Sequence, residues 1–206
     1  MNIHSVTATR VLDKRTAILD AATATFARSG FFGAQVADIA RAAGIAAGTV
    51  YLYFRSKDEI LTSIFDRTMQ EAIEEGRRAL ADIGDPIERL RRIAHMHLAR
   101  LGRDRNLAIV FQVELRQTTK FMEQFSKTGL GDYLAVIQET IENGQASGVI
   151  RTTISARTAA KVFFGALDEM ATNWILSHRG YTLEAQADEI VDVLVGGFGA
   201  PAQEAR

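Results

Sequence analysis

Cysteine is absent from this chain of 206 residues. That excludes a disulfide framework, a thiolate metal site and a cysteine nucleophile together. Only two prolines occur, so little stands in the way of long helices. No early apolar run suits a signal peptide or a membrane span, and residues 1–15 are polar and mixed. The expectation is a cytoplasmic protein with no membrane role. Histidine is scarce, at four. His95 and His97 stand two apart on a predicted helix, which turns them to nearly opposite sides, so they cannot chelate one metal. There is no G-x-S-x-G and no Walker loop. Gly197-Phe198-Gly199 has the opening of a dinucleotide fingerprint but follows no strand and runs into Pro201. No enzyme is expected, and no metal or cofactor. Strand patterns of convincing length, internal repeats and low-complexity tracts are missing as well.

Net charge is −1, which says nothing of nucleic acid. Its distribution says more. Residues 1–57 carry seven basic side chains against three acidic, and the remainder 17 against 22. A basic head on an acidic body fits a head that meets phosphates.

Apolar spacing predicts helices throughout. The first, from about Leu12 to Ser29, buries Ile18, Ala22 and Phe26, and Gly30 stops it. The second places Val36, Ile39, Ala40 and Ala43 on one face and ends at the Gly44 turn. A short third helix, from about Ala47 to Phe54, turns Val50 and Phe54 inward, with Ile45 ahead of it. It leaves Ala47, Gly48, Thr49, Tyr51 and Tyr53 largely outward. Residues 36–57 thus read as a helix-turn-helix, the unit that pushes a short helix into the DNA major groove. Ser56-Lys57-Asp58-Glu59 is a capping box opening a fourth helix that runs to about Leu80. Its length joins head to body. Asp85 caps a fifth, with Pro86 in its first position and Glu88 completing a second box.

In the body, Leu90, Ile93, Ala94, His97 and Leu101 share a face. Asp104 opens the next helix, with Leu107, Phe111, Glu114, Leu115 and Thr118 on one side. Leu130, Leu134, Ile137 and Ile141 form a coiled-coil-like seam that Ser147-Gly148 ends, and Val149-Ile150-Arg151 reads as a linker. Ser155 caps a long helix to about His178 that is apolar on most of its circumference, and a last helix runs from about Leu183 to Val195. A helix greasy nearly all round must be covered on two sides. One side is the core; the other is expected to be a second copy, meeting through Val162, Phe164, Ile175, Ile190, Val191 and Leu194.

Gly30-Phe31, Ile39-Ala40, Ala43-Gly44-Ile45, Gly48-Thr49-Val50-Tyr51, Tyr53-Phe54, Ser56-Lys57 and Ile60-Leu61 stand in an order and spacing that resembles TetR-family repressors. The body is similar to that family's acyl-CoA-responsive regulators of fatty-acid degradation. Arg105-Asn106-Leu107-Ala108-Ile109-Val110 with Gln112-Val113-Glu114-Leu115-Arg116-Gln117 carries this, as does Gly165-Ala166-Leu167-Asp168-Glu169 with Trp174. The likeness spans about Thr16 to Gly197. Departures exist: many members have Ser at the position of Ala46, whose loss as a cap costs about 1 kcal/mol, and Thr where Ala34 and Gln35 stand.

The resemblance implies an all-α protein of about nine helices. A DNA-binding head over 1–56 precedes a ligand-binding and dimerisation body over 57–206, whose last two helices build a four-helix bundle with their mates. It implies a dimer on a palindromic double-stranded operator. Gly48 lets the backbone approach DNA, Thr49 touches a base edge, and Leu52 is half core and half base contact. Tyr51, Tyr53 and Lys57 reach phosphates, Gln35 bonds adenine or a phosphate, and Val36 and Ala47 complete the surface. It implies a hydrophobic inducer, a long-chain acyl-CoA, held among Phe65, Leu107, Val110, Phe111, Leu115, Phe163 and Trp174. Glu114 and Asn106 are the polar groups there, and Arg103 and Arg105 stand at the mouth with Arg89, Arg91 and Arg92. Two alternatives stay open: the same repressor with a drug-like or flavonoid inducer, and a lipid or acyl-CoA carrier without a DNA role.

Overall fold

The computed structural model describes residues 3–127, 129–177 and 180–198, with side chains of 3–12, 125–127 and 198 left aside. His178, Gly199 and Pro201 lie outside the described residues. Among the described residues there are ten α-helices and no extended strand. None of these helices is long and apolar enough to cross a membrane.

Helix α1 (Ile3–Ser29) begins nine residues before the predicted Leu12. It ends where Gly30 takes a φ of +70°, the left-handed region that favours glycine. Helix α2 (Val36–Ala42) closes on Gly44 at φ +69°. Helix α3 (Ala47–Val50) is a single turn, half the predicted length. Ala46 gives it no side-chain cap, and beyond Val50 the chain runs on in turns, with Tyr53 N and Phe54 N both donating to Val50 O at 3.0 Å. Ile18, Leu19, Phe26, Ile39 and Val50 are fully buried together and make the head a small core of its own.

Helix α4 (Lys57–Leu80) starts on a working capping box: Ser56 Oγ accepts from Glu59 N at 3.1 Å, and Glu59 accepts from Arg55 N at 2.6 Å. Its first turns bury Ile60, Leu61 and Ile64, and it continues unbroken past Met69 and Ile73. Head and body therefore share one rigid rod. Helix α5 (Pro86–Arg103) is capped by Asp85, which accepts from Ile87 N and Glu88 N. Glu88 does not complete the second box; it stands 3.5 Å from Arg91. Asp104 caps α6 (Arg105–Ile109), which passes into a π-helical turn at Val110–Glu114 and a 3-10 turn at Leu115–Gln117. Helices α7 (Thr119–Lys127), α8 (Gly129–Ala146), α9 (Ala156–Leu176) and α10 (Ala187–Phe198) complete the chain. Helices α4, α5, α8 and α9 surround the middle of the body, and α10 lies on α5 and α9.

Three residues assigned to the dimer face turn inward instead. Val191 is fully buried against the chain's own core, and Ile175 nearly so. Phe164 packs edge-on to His97 and Tyr133, with ring centroids 5.8 and 6.1 Å away. Covering α9 takes more of its circumference than one neighbouring helix does, because α8, α5 and α6 all touch it. The apolar groups left outward on the last two helices are Val162, Leu176 and Val193, with Ile190 and Leu194 half-buried.

Candidate DNA-contact face and ligand tunnel

The head presents an outward strip. Gln35, Ala47 and Gly48 are exposed, and Tyr51 and Leu52 stand out at 57% and 81% exposure. Val36, Thr49 and Tyr53 are half-buried. Leu52, expected half in the core, stands wholly outward. A Cβ built on Gly48 would meet nothing within 4 Å. Lys57 departs from its assignment to a phosphate. Its Nζ donates to Ala34 O at 2.8 Å and Phe32 O at 3.4 Å, and lies 4.6 Å from the Phe31 ring centroid. It ties the α1–α2 loop to α4.

Behind the head runs a tunnel between α4, α5, α8 and α9. From Thr68 to Leu80 on α4 it follows twelve residues, or about 18 Å of helix. Its empty space is about 1000 Å³, the open solvent at its mouth included. It is long and narrow. Met69, Ala72 and Ile73 line one side, Leu130, Val136 and Ile137 the opposite, and Phe111, Leu115 and Met122 the end toward the head.

Of the assigned pocket residues, only Phe111 and Leu115 line this tunnel. Phe65 backs it, its ring 4.6 Å from that of Phe111. Val110 and Phe163 are fully buried core. Arg105 and Trp174 hold each other: the guanidinium lies 5.2 Å over the indole and donates to Ile175 O, while Trp174 Nε1 donates to Tyr181 O. Asn106 and Leu107 face a separate cleft beside α1. Arg89 donates to Leu80 O and Ile83 O, and Arg91 pairs with Asp188 and Asp192. Arg92 and Arg103 line an outer cleft between α4 and α5 with His95, Met96 and Arg100. Face periodicity separates inside from outside but not core from cavity, since both are apolar.

The tunnel also holds polar groups that the sequence reading missed: His97, Tyr133, Arg100, Arg116 and Asp168. Asp168 accepts from Gln112 Nε2 at 2.5 Å and pairs with Arg116. Arg100 reaches Glu71 and Glu75 on α4. The Nδ1 of His97 lies 3.1 Å from the Tyr133 hydroxyl. A histidine on the apolar stripe of Leu90, Ile93, Ala94 and Leu101 is the sequence signal for this polar lining.

Burial holds the His97 imidazole down to about pKa 4; Asp168 opposes this and Arg100 adds to it. Burial likewise pushes the Tyr133 phenol up. The unfolded chain protonates this histidine near the ordinary value of 6.5, and the folded chain only near 4. Protons therefore favour unfolding across that window. The stability tied to neutral His97 is whole above about pH 6.5 and is lost as pH falls toward 4, by about 3 kcal/mol in all. Urea unfolding at about pH 7 and 4.5 measures it, and His97→Gln should remove that part of the slope.

Glu114 faces neither solvent nor tunnel. It is 4% exposed, and its Oε2 accepts from Phe31 N at 2.5 Å and from Gln117 Nε2 at 2.7 Å. The sequence reading gave it the face of Phe111 and Leu115. A π-helical turn rotates less per residue than an α-helix, so Glu114 lags behind that face and reaches the head.

The sequence pattern of bacterial regulatory proteins of the tetR family matches residues 18–64, and that of the YsiA-like protein C-terminal region matches residues 65–197. The chain is 35% identical to the fatty acid metabolism regulator protein of Bacillus subtilis, over 88% of this chain and 93% of the relative. It superposes on the transcriptional regulator FadR from Bacillus subtilis, solved in complex with stearoyl-CoA, with a TM-score of 0.85 and 34% identity, covering 89% of this chain and 98% of the other. The fatty acid degradation regulator FadR from Bacillus halodurans gives 0.84 and 36%, with the same coverage of both chains. Head, connecting rod and tunnelled body are thus matched in sequence and in shape along nearly the whole length, and the chain belongs to the TetR family of bacterial regulatory proteins.

Proposed function

We propose that the protein is a transcriptional repressor of fatty-acid degradation genes that binds a palindromic operator as a dimer and releases it on binding a fatty acyl-CoA. The observation that carries this reading is the narrow apolar tunnel whose wall, through Phe111 and Leu115, belongs to the segment that grips the head through Glu114. A tail lying in the tunnel presses on that wall. The stearoyl-CoA held by the Bacillus subtilis relative supports the same ligand class here.

In this reading residues 1–56 contact DNA and 57–206 hold ligand and partner. Gln35, Val36, Ala47, Gly48, Thr49, Tyr51, Leu52 and Tyr53 form the DNA face, with Tyr51 on a phosphate and Thr49 on a base edge. Lys57 supports that face from behind. Two heads about 34–36 Å apart read successive major grooves. The outward apolar groups of α9 and α10 (Val162, Leu176, Ile190, Val193 and Leu194) meet their counterparts in the partner. The acyl tail takes the tunnel, while Arg92 and Arg103 in the outer cleft take the phosphates of the other end. That cleft shares Met96 and Arg100 with the tunnel wall.

A gel-shift titration with a duplex selected from genomic fragments tests this. Affinity should fall steeply with salt, because phosphate contacts release counterions. Palmitoyl-CoA should weaken binding about a hundredfold, a coupling of about 2.7 kcal/mol. Unchanged affinity with saturating palmitoyl-CoA would overturn the inducer.

A further inference from the structure

His97 lines the tunnel, and one polar atom of its ring is buried and unpaired. The Nε2 of His97 is closed off from water and, among the described residues, has no hydrogen-bond partner. A polar atom so placed costs free energy unless something satisfies it. The opposite ring nitrogen is occupied by the Tyr133 hydroxyl. If Tyr133 donates to Nδ1, the remaining proton sits on Nε2, and one donor is left over. The reverse arrangement strands both the Tyr133 proton and the Nε2 lone pair. The first arrangement leaves less unsatisfied, and it makes Nε2 a hydrogen-bond donor waiting for an oxygen. Burial keeps this ring neutral at physiological pH, so the donor is an uncharged one.

Its place along the tunnel says which oxygen. Met96 and Arg100, which flank His97 on α5, are the two residues shared by the tunnel and the outer cleft, which Arg92 and Arg103 line beside Glu75 and Glu184. On the α4 side of this seam Gly76 lines the tunnel, and a Cβ there would meet nothing within 4 Å. A ligand with its phosphates in the cleft and its tail in the tunnel crosses the wall here. From this crossing the lining is mostly apolar in both directions: Ile73, Met69, Phe111 and Leu115 toward the head, where the tail runs, and Leu80, Ile93 and Val136 away from it. Resting on the acyl-CoA reading, we propose that His97 Nε2–H receives the thioester carbonyl oxygen of the ligand, with Tyr133 fixing the tautomer, so that this pair marks the crossing from charged arm to apolar tail.

The test compares two ligands that differ only in that oxygen: palmitoyl-CoA and the thioether S-hexadecyl-CoA, by calorimetry on the full-length protein. The wild type should bind the thioester about tenfold more tightly. His97→Leu should bring the two within about twofold, and His97→Gln, which keeps a donor, should restore part of the gap. A second readout needs no variant. With a carbon-13 label at the thioester carbonyl, its infrared stretch should fall in frequency on binding to the wild type. Equal affinity of the wild type for both ligands, with no shift of the carbonyl band, overturns the assignment and leaves the acyl-CoA reading standing. Failure of both ligands to bind removes that reading and this one with it.

Discussion

Replacing Gly48 by glutamate should abolish specific DNA binding while leaving the folded state as stable as before, or slightly more so. Gly48 lies in the single turn of α3 with an ordinary helical backbone, since its φ is not among the positive ones. Glycine inside a helix is the weaker choice by roughly 0.5–1 kcal/mol relative to alanine. A side chain there finds open space, so nothing in the protein opposes it. What opposes it is the duplex. A carboxylate on the proposed DNA face would lose both close approach and charge complementarity, and a loss of a hundredfold or more, about 2.7 kcal/mol, is expected. Fluorescence anisotropy with the operator reads the affinity, and a thermal melt reads the fold. A variant that melts normally and still binds with wild-type affinity would remove α3 from the interface. Gly48→Ala is the milder companion: it adds a methyl and no charge, and should cost a smaller factor.

The head was legible because its signals are local. Each cap is one residue and its amide; each turn is one glycine. Ser56, Asp85, Asp104 and Ser155 all cap the helices assigned to them. Gly30, Gly44 and Gly148 all adopt the positive φ that their places at helix ends require. The short third helix shows the limit of the same reasoning. Periodicity carries it to Phe54, but its α-helical part ends at Val50, the residues after it run on in turns, and Leu52 stands outward.

The tunnel was less legible because it is a property of several helices at once. Phe65, Val110 and Phe163 satisfy every sequence criterion for a pocket wall and are solid core. Arg100 and Asp168, 68 residues apart, meet the same cavity only because α5 and α9 pack together. Nor does a π-helical turn announce itself, since no residue type demands an i→i+5 bond. The arginines assigned to a ligand illustrate a further point. Arg89, Arg91 and Arg105 already have carbonyl or carboxylate partners within the chain. A guanidinium that is already paired offers less to a phosphate than Arg92 and Arg103 in the outer cleft.

Glu114→Ala should separate the two halves of the mechanism. In the wild type the carboxylate holds Phe31 N directly beside Gly30, whose backbone needs φ +70° and where an added Cβ would lie 3.7 Å from the same oxygen. Phe31 in turn packs on Phe26 of α1, ring centroids 5.3 Å apart, and on Phe121 of α7 at 4.9 Å. Gln112, two residues back in the π turn, is tied to Asp168 of α9, which also pairs with Arg116 on the tunnel wall. A shift of Phe111 and Leu115 by a tail therefore moves a segment fastened to the body at one end and to the head at the other. Alanine leaves the Phe31 amide buried without its acceptor, at about 1–3 kcal/mol of stability. Loss of coupling is a distinct effect, and the larger one in function: release by palmitoyl-CoA should fall from about a hundredfold to fivefold or less. Acyl-CoA affinity of the free protein should be nearly unchanged, because the tunnel lining is intact. Coupling is reciprocal, so saturating operator should also stop weakening acyl-CoA binding in the variant. Glu114→Gln keeps an oxygen able to accept from both donors and should retain most of the response. The paired titrations, ligand against operator and operator against ligand, distinguish lost coupling from simple destabilisation, which a melt measures separately. Hundredfold release persisting in Glu114→Ala would show that the signal does not pass through the Glu114 contact.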